Sequence, residues 1–236
     1  MAPRVLVVDH DRAVRNLASK HLAAAGLEVS TAAGGRQALV AISGMAVDMV
    51  ILDLMLPDMD GIDLCRQLRR RTRVPLLVMA EAQHEVERYL ALEVGADDFL
   101  IKPLVTREFS IRVRAHLRRW LWQQEATPQT DPELLRVGEL LLDLSGRRAS
   151  LRGNPLHLTP TEFHLLRVLC QAPGIAFPRE RLFALATGRP VSGDARQVDV
   201  HIRSLRLKLE LDPAHPRFLQ TVRGAGYRVQ GVPSAP

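Results

Sequence analysis

The sequence predicts an α/β protein, a doubly wound sheet of five parallel strands followed by a smaller α+β domain. Three observations carry this prediction. Five short apolar runs alternate with helix-like segments over residues 5–122, and their connections are short. A polar, proline-bearing stretch without periodicity follows at 123–133, typical of a linker. Over 134–236 the pattern changes to short apolar pieces, three helices and a hairpin. We therefore expect domains at 1–122 and 134–236.

The first domain is predicted element by element from apolar periodicity and helix stops. Met49-Val50-Ile51-Leu52 is apolar at every residue, which indicates a strand buried on both faces of a parallel sheet. Gly26 and Gly95 end the helices that precede them. The expected strands are 5–8, 27–31, 49–53, 76–79 and 99–101, and the expected helices are 12–25, 35–43, 61–71, 84–94 and 105–122.

The second domain begins with short apolar pieces over 134–158, which predict a small antiparallel sheet. Thr159, Pro160 and Glu162 form a capping box that opens a helix over 160–171. Two further helices are expected near 178–186 and 194–210, and a β-hairpin closes the chain at 218–229. Three helices between a sheet and a hairpin are typical of a winged helix-turn-helix.

Composition places the chain among soluble globular proteins, with 47% apolar and 25% charged residues. The apolar runs are too short to span a bilayer and the N-terminus carries no signal-peptide core, so a cytoplasmic location without membrane contact is expected. Cys65 and Cys170 are expected to be buried reduced thiols. A net charge of +6 is too mild to indicate nucleic-acid binding alone.

Charged side chains follow three of the predicted strands. Asp9 ends the first strand, Asp53 the third, and Lys102 the fifth. Because the carboxyl ends of parallel strands meet at one sheet edge, we expect these groups to converge there. Ionised carboxylates at such an edge suit a hard cation such as Mg²⁺, and a carboxylate beside a metal and a lysine can accept a phosphoryl group.

Several motifs in fixed order resemble a known family. VLVVDHD, VILDLMLPDMDG and GADDFLIKP resemble the signatures of a response-regulator receiver domain, and PTEFHLLRVL, RQVDVHIRSLRLKLE and TVRGAGYRV resemble the effector domain of the OmpR/PhoB subfamily. The resemblance implies that Asp53 is the phosphoacceptor, Lys102 the pocket lysine and Phe99 the switch aromatic. It also implies a Mg²⁺ site at Asp9, Asp53 and Met55. No residue is expected to be catalytic.

The pocket departs from the family pattern at two positions. His10 stands where the family has a second acid, and imidazole is a poor ligand for Mg²⁺. Ala80 stands where the family has a Ser or Thr hydroxyl. Asp11, one residue further along, could partly replace the missing acid. We therefore expect Mg²⁺ to bind weakly or not at all.

Two interpretations of the receiver remain open. Either Asp53 is phosphorylated with a weakened Mg²⁺ dependence, or the receiver is a phosphorylation-independent module for dimerisation or ligand sensing. A distant alternative is a phosphatase that uses Asp53 as nucleophile, but no second catalytic base accompanies it. A non-DNA adaptor that binds only a kinase is disfavoured by the arginines of the helix over 194–210.

Interleaved charges on the last two receiver helices and the fifth strand predict a dimer surface. In the family, matching positions form salt bridges across a symmetric homodimer. The resemblance implies intermolecular pairs of Arg88 with Glu108, Glu93 with Arg114, and Asp98 with Arg112. Asp97 lies in the same run of charges. The simpler interpretation is a solvated helix face.

The helix over 194–210 has a narrow apolar stripe, and the arginines, glutamine and small apolar residue opposite it suit the major groove of DNA. The simpler interpretation is an ordinary amphipathic surface helix. Arginine can pair with guanine, glutamine with adenine, and a small apolar side chain can contact a thymine methyl group. The expected DNA-binding residues are Arg196, Gln197, Val200, His201, Arg203, Ser204 and Arg206 on the helix, with Thr221, Arg223 and Tyr227 on the wing. The resemblance implies double-stranded DNA with tandem direct-repeat sites, a histidine kinase and RNA polymerase as partners.

Overall fold

The computed structural model describes residues 2–122, 133–188 and 196–231. It divides the chain into two compact units, Met1–Leu121 and Trp122–Pro236. The predicted linker at 123–133 lies outside the described residues except for its last position. Within the described ranges, no helix has both the length and the apolar character needed to cross a membrane.

The first unit is the predicted doubly wound sheet, with its strands in the order β2-β1-β3-β4-β5 and every pair parallel. The fold-class prediction is confirmed. The elements are β1 (Arg4–Val8), α1 (Arg12–Ala24), β2 (Glu28–Ala32), α2 (Gly35–Gly44), β3 (Met49–Asp53), α3 (Gly61–Arg71), β4 (Leu76–Glu81), α4 (Glu85–Val94), β5 (Asp98–Lys102) and α5 (Thr106–Trp122). Their boundaries lie within two residues of those expected from the sequence.

The central strands hold this sheet in register. All five residues of β3 are buried, as a strand covered on both faces requires. One core cluster joins residues of β1, β3 and β4 to α1 and α5, so these two helices cover one face of the sheet. Asp53 pairs in register with Met79, which fixes the carboxylate at the end of β3.

Three aspartates fix the starts of helices around the carboxyl edge of the sheet. Asp11 caps α1 through the backbone N–H of Ala13, and Asp60 caps α3. At α2 the N-cap residue is Gly34, which has no side chain that could accept a hydrogen bond from the first turn of the helix. Asp58, from the loop after β3, accepts the N–H groups of Gly35 and Arg36 at 2.8 and 3.0 Å instead. Asp58 therefore connects the loop that follows Asp53 to α2, in addition to the link that Asp60 makes with α3.

The second unit is an antiparallel sheet followed by three helices and a hairpin, as the sequence predicts. The sheet contains β6 (Leu134–Val137), β7 (Leu140–Asp143), β8 (Arg148–Leu151) and β9 (Asn154–Leu156). The helices are α6 (Pro160–Gln171), α7 (Arg179–Thr187) and α8 (Arg196–Leu209), and the hairpin joins β10 (Leu219–Val222) to β11 (Gly226–Val229). Residues 194 and 195 of the expected third helix lie outside the described ranges.

The predicted capping box at α6 is present, and it also binds α8. Glu162 accepts the backbone N–H of Thr159 at 2.8 Å, while the Thr159 hydroxyl accepts the N–H of Glu162. The same buried carboxylate accepts the Ser204 hydroxyl at 2.6 Å and the Lys208 ammonium at 2.5 Å. One glutamate therefore starts α6 and orients α8 against it.

Candidate functional site

Asp9, Asp53 and Lys102 meet at the carboxyl edge of the sheet. Lys102 Nζ lies 2.7 Å from Asp9 Oδ2 and 3.1 Å from Asp53 Oδ1. Both carboxylates are almost completely buried, at 0% and 1% exposure. Their pairing with a single ammonium offsets the repulsion between two close negative charges.

His10 closes the other side of this pocket. Its Nδ1 lies 3.2 Å from Asp53 Oδ2 and 3.7 Å from Asp9 Oδ1, while 52% of its side chain stays exposed. The Arg15 guanidinium donates to the backbone carbonyls of Asp9 and His10 at 2.6 and 2.9 Å, which holds the loop in place. Both carboxylate oxygens of Asp53 therefore have a partner.

The pocket changes the acidity of its groups. Burial raises the pKa of Asp53, and the nearby charge of Asp9 adds to the rise, while Lys102 acts in the opposite direction. For Lys102, burial opposes the charged form, but the hydrogen bond and charge of Asp9 together with the charge of Asp53 raise its pKa. The pKa of Asp53 is therefore higher than that of an ordinary aspartate, and the lysine stays cationic.

The donor atoms that meet in the pocket do not form an all-oxygen set for Mg²⁺, because His10 joins two of the expected ligands, Asp9 and Asp53. The groups whose donor atoms meet are Asp9, His10 and Asp53. Asp11, the suggested replacement acid, instead uses its Oδ1 to accept the Ala13 N–H at 2.7 Å. Met55 contributes a backbone N–H hydrogen bond that lowers the pKa of Asp53. Since Mg²⁺ prefers oxygen ligands, a pocket with an imidazole nitrogen in this position fits it poorly.

The end of β4 offers no hydroxyl to the pocket. Ala80 is fully buried and pairs in register with Ile101. Phe99 is also buried, at 6% exposure, and the Arg88 guanidinium lies 5.1 Å from its ring centroid. Arg88 also donates to the carbonyls of Glu81 and Ala82 at 2.9 Å each. The arginine therefore connects α4 to the loop that follows β4.

The charged residues expected at a dimer surface divide into two groups. Arg112 pairs with Asp98 at 3.1 Å and with Glu108 at 2.5 Å within one chain, so these contacts form without a second copy. Asp97 is not on an exposed face, because it is fully buried and accepts hydrogen bonds from Arg69 and from the Leu76 N–H. The exposed members are Glu93, Glu108 and Arg114.

Exposed apolar side chains accompany these charges, and the sequence analysis did not select them. They lie on α4, on β5 and on the segment that leads into α5 and its first turns. The residues are Val86, Leu90, Ile101, Val105 and Ile111. The sequence pattern predicted α4 and α5 as helices with charged positions, but gave no reason to expect exposed apolar residues on them.

The apolar stripe of α8 is buried as predicted, with Val198, Ile202, Leu205 and Leu209 in the core of the second unit. On the opposite face Arg196 and Arg203 are exposed and Val200 is half-buried. Leu207, which the sequence analysis did not select, is exposed on the same face. This face combines two cations with apolar side chains.

Three expected DNA contacts on α8 are buried instead of exposed. Gln197, His201 and Ser204 have exposures of 4%, 1% and 8%. At 100° per residue they lie on the side of the helix between the apolar stripe and the exposed face opposite it. Ser204 points its hydroxyl at Glu162 on α6. The assignment of these residues to an exposed face was therefore wrong.

Tyr227 is also buried, at 4% exposure, and connects the hairpin to α8. Its hydroxyl donates to Asp199 Oδ1 at 2.7 Å, and the same oxygen accepts the Arg179 Nε–H at 2.7 Å. Burial, followed by the hydrogen bond and charge of Asp199, raises the pKa of Tyr227 to about 12. The phenol stays protonated as a donor and positions the hairpin.

Arg206 is a second link between the helix and the hairpin. It donates to the Leu219 carbonyl at 2.9 Å and to the Thr221 hydroxyl at 2.7 Å, and its guanidinium lies 5.7 Å from the ring centroid of Tyr227. Arg223, near the tip, is exposed. Arg179 and Asp199 are twenty positions apart in the sequence, and no local pattern pairs them. Their role in holding the hairpin could therefore not be predicted from the sequence.

The loop Gly188–Gly193, which the family resemblance places opposite RNA polymerase, lies outside the described residues apart from Gly188. Gly188 itself ends α7 in the left-handed region, with φ of 66°.

Comparison with known proteins supports both halves of the chain. The response regulator receiver domain matches residues 5–114, and the C-terminal domain of transcriptional regulatory proteins matches residues 153–229. The DNA-binding response regulator MtrA of Mycolicibacterium smegmatis is 39% identical over 228 residues, covering 97% of each chain. MtrA of Mycobacterium tuberculosis H37Rv is 37% identical, with the same coverage of each chain.

Among solved structures, a mutant of RitR with a cysteine replaced by serine covers 98% of this chain and 100% of its own, with a TM-score of 0.78 and 24% identity. At that identity the likeness concerns the fold alone. The relatives matched over nearly the full length of the chain show its family, and this family is the one that the motifs resemble. The chain therefore belongs to the OmpR/PhoB-type DNA-binding response regulators, which join a receiver domain to a C-terminal transcriptional regulatory domain.

Proposed function

We propose that this response regulator is a dimeric, sequence-specific transcription regulator whose receiver works without Mg²⁺-dependent phosphorylation of Asp53. One observation carries the proposal. Lys102 and His10 contact the two carboxylate oxygens of Asp53 at 3.1 and 3.2 Å. An acceptor carboxylate needs a free oxygen for attack on phosphorus, and cations to offset the charge of the transferred group.

Two further features support weak phosphorylation chemistry. The imidazole nitrogen replaces an oxygen ligand, so Mg²⁺ loses a favourable partner beside Asp53. Ala80 supplies no hydroxyl for a phosphoryl oxygen, which removes one hydrogen bond to a phosphorylated state. Both changes reduce the stabilisation of a bound phosphoryl group.

Phosphorylation at Asp53 is the second candidate, and a specific observation favours it. Lys102 contacts both Asp9 and Asp53, so its ammonium lies close enough to offset the charge of a phosphoryl group on Asp53. His10 is half-exposed and could turn away from Asp53. A histidine kinase is the natural partner under this candidate.

The two candidate functions differ in whether Asp53 accepts a phosphoryl group. Incubation with acetyl phosphate and Mg²⁺, followed by phosphate-affinity electrophoresis, measures this directly. The native chain should label at a small fraction of the level of His10→Asp/Ala80→Thr, and Asp53→Asn in either background should not label. Full labelling of the native chain would refute the proposal. Beryllofluoride with Mg²⁺ should leave the native dimer fraction unchanged in sedimentation velocity, and a rise would favour the phosphorylation candidate.

We propose that the dimer forms through α4, β5 and α5. Support comes from the exposed Leu90, Ile101 and Ile111 on these elements, which lie among the exposed charges Glu93 and Arg114. Apolar area drives association, while the charges set the register at about 0–1 kcal/mol per exposed pair.

Ile111→Asp tests this surface more cleanly than Arg112→Glu, because Arg112 also holds Asp98 within the chain. The dimer should be lost in sedimentation at concentrations where the native chain is dimeric. Val40→Asp, at an exposed position on α2, is the matched control and should remain dimeric. An Ile111→Asp chain that stays as dimeric as Val40→Asp would exclude this surface.

We propose that α8 enters the major groove with Arg196, Val200 and Arg203, while Thr221 and Arg223 bring the hairpin to the backbone or minor groove. The support is the exposed position of these arginines together with the half-buried Val200. Tandem direct-repeat sites are the expected DNA targets, with RNA polymerase as a further partner.

Arg203→Ala should cost about 1–3 kcal/mol of binding and relax base preference at one position. Arg223→Ala should weaken binding and reduce its salt dependence if Arg223 contacts a phosphate. Arg148→Ala, exposed in β8, is the control. Fluorescence anisotropy in graded salt measures all three, and an Arg203→Ala affinity equal to that of the control would refute the helix assignment.

A further inference from the structure

The pocket at the carboxyl edge contains a second set of donor atoms besides the pair that Lys102 binds. Lys102 takes Asp9 Oδ2 and Asp53 Oδ1. The remaining oxygens, Asp9 Oδ1 and Asp53 Oδ2, are the ones nearest His10 Nδ1. We propose that these three atoms bind a first-row transition-metal ion of the zinc type in preference to Mg²⁺.

The distances fit such an ion. His10 Nδ1 lies 3.2 Å from Asp53 Oδ2 and 3.7 Å from Asp9 Oδ1, and each of the three residues offers a ligand atom within 4.8 Å of the other two. Zinc binds nitrogen and oxygen at about 2.0–2.2 Å, so neighbouring donors of a tetrahedral site lie about 3.4 Å apart. The observed separations bracket this value, and small side-chain rotations bring the donors to one centre.

The donor chemistry selects the class of metal. Two carboxylates and an imidazole are a mixed set that suits Zn²⁺, Co²⁺ or Ni²⁺, whereas Mg²⁺ prefers oxygen throughout. Asp9 Oδ1 also accepts the Asp11 N–H at 2.8 Å, which orients this carboxylate while leaving it a second lone pair. Half-exposure of His10 leaves solvent access for a water ligand.

The surroundings hold these donors in place before an ion arrives. Arg15 fixes the carbonyls of Asp9 and His10 on one side. Lys102 holds the far oxygens of both carboxylates on the other. Lys102 is the cation that contacts both carboxylates, and it leaves their near oxygens, Asp9 Oδ1 and Asp53 Oδ2, available to attract a metal cation.

The test is zinc binding by the full-length chain without an affinity tag, measured by isothermal titration calorimetry with Mg²⁺ as competitor. The native chain should bind one Zn²⁺ that a large excess of Mg²⁺ does not displace. His10→Ala should lower zinc affinity by about 100-fold or more, since loss of a mere supporting group costs about 10–100-fold. His10→Asp should reverse the preference and bind Mg²⁺ more tightly than the native chain does.

His215→Ala is the matched control, because His215 forms an exposed pair with Asp212 at 2.7 Å in the second unit. It should leave zinc binding unchanged. Co²⁺ gives a second readout, since its visible d–d absorption becomes intense in a four-coordinate site and should be lost with His10. Circular dichroism melts of each variant confirm that the chain is folded.

Equal zinc affinity in His10→Ala and the native chain would overturn the inference, as would displacement of Zn²⁺ by Mg²⁺ at similar concentrations. The inference goes beyond the proposed function, and each can fail alone. A chain that labels with acetyl phosphate yet binds zinc through His10 refutes only the proposed function. A chain that neither labels nor binds zinc refutes only the metal site.

Discussion

Gly226 in the hairpin is the position where an added methyl group should be most damaging. A Cβ there would lie 2.0 Å from the carbonyl oxygen of Phe177, and the residue has φ of +115°. Phe177 and Tyr227 exchange two backbone hydrogen bonds at this point, of 2.8 and 3.0 Å. Losing both costs about 2 kcal/mol, and the unfavourable φ costs about 1–2 kcal/mol. Gly226→Ala should therefore destabilise the hairpin by about 3–4 kcal/mol.

Gly224 supplies a matched control in the same hairpin. Its φ is +75°, but a Cβ there meets no atom within 4 Å, so Gly224→Ala carries only the backbone cost of about 1 kcal/mol. Hydrogen exchange of peptides covering 174–178 and 226–230 measures local opening in each full-length variant. Gly226→Ala should exchange faster than Gly224→Ala by about 30-fold or more, following the difference of at least about 2 kcal/mol. Equal exchange would refute the reasoning from the Phe177 contact.

Three further predictions concern the ties between elements. Glu162→Ala removes the capping box and both contacts to α8, and should cost about 2–3 kcal/mol in urea unfolding, with a smaller cost for Glu162→Gln. Asp199→Ala frees the Tyr227 hydroxyl and should weaken DNA binding about tenfold in anisotropy, since one charged hydrogen bond is worth about 1.5 kcal/mol. The backbone N–H groups of Arg36 and Gly35 lower the pKa of Asp58, so its contribution is full above the unfolded carboxyl pKa of about 4 and is lost as pH falls through the folded value. The stability difference between native and Asp58→Asn should shrink in acid melts.

Local signals were enough to predict the elements and their order. The run from Met49 to Leu52 is a strand because it is apolar throughout, and the structure buries all of it. The Thr159 and Glu162 capping box lies within four residues, and both of its hydrogen bonds form. Both features depend only on residues that are close together in the chain, so the sequence alone is enough to predict them.

The errors fall where a distant partner decides a side chain's position. Ser204 and Gln197 were assigned to the DNA face, but Ser204 binds Glu162, forty-two residues away. Asp97 was assigned to a charged surface, yet it accepts from Arg69, twenty-eight residues away. A residue on the flank of an apolar stripe can face solvent or a neighbouring helix, and periodicity does not distinguish these environments.

The charged groups around Asp53 can be understood from electrostatics as well as from phosphoryl transfer. Two buried carboxylates, Asp9 and Asp53, share one ammonium from Lys102, and burial with mutual repulsion raises the pKa of Asp53. A second cation would offset this excess of negative charge, and His10 Nδ1 lies close enough to Asp53 Oδ2 to help bind a metal ion there. Replacing the family's second acid with an imidazole therefore reduces the negative charge that the buried pocket must accommodate. It keeps the shape of an acceptor site while removing an oxygen ligand on which Mg²⁺-dependent chemistry relies.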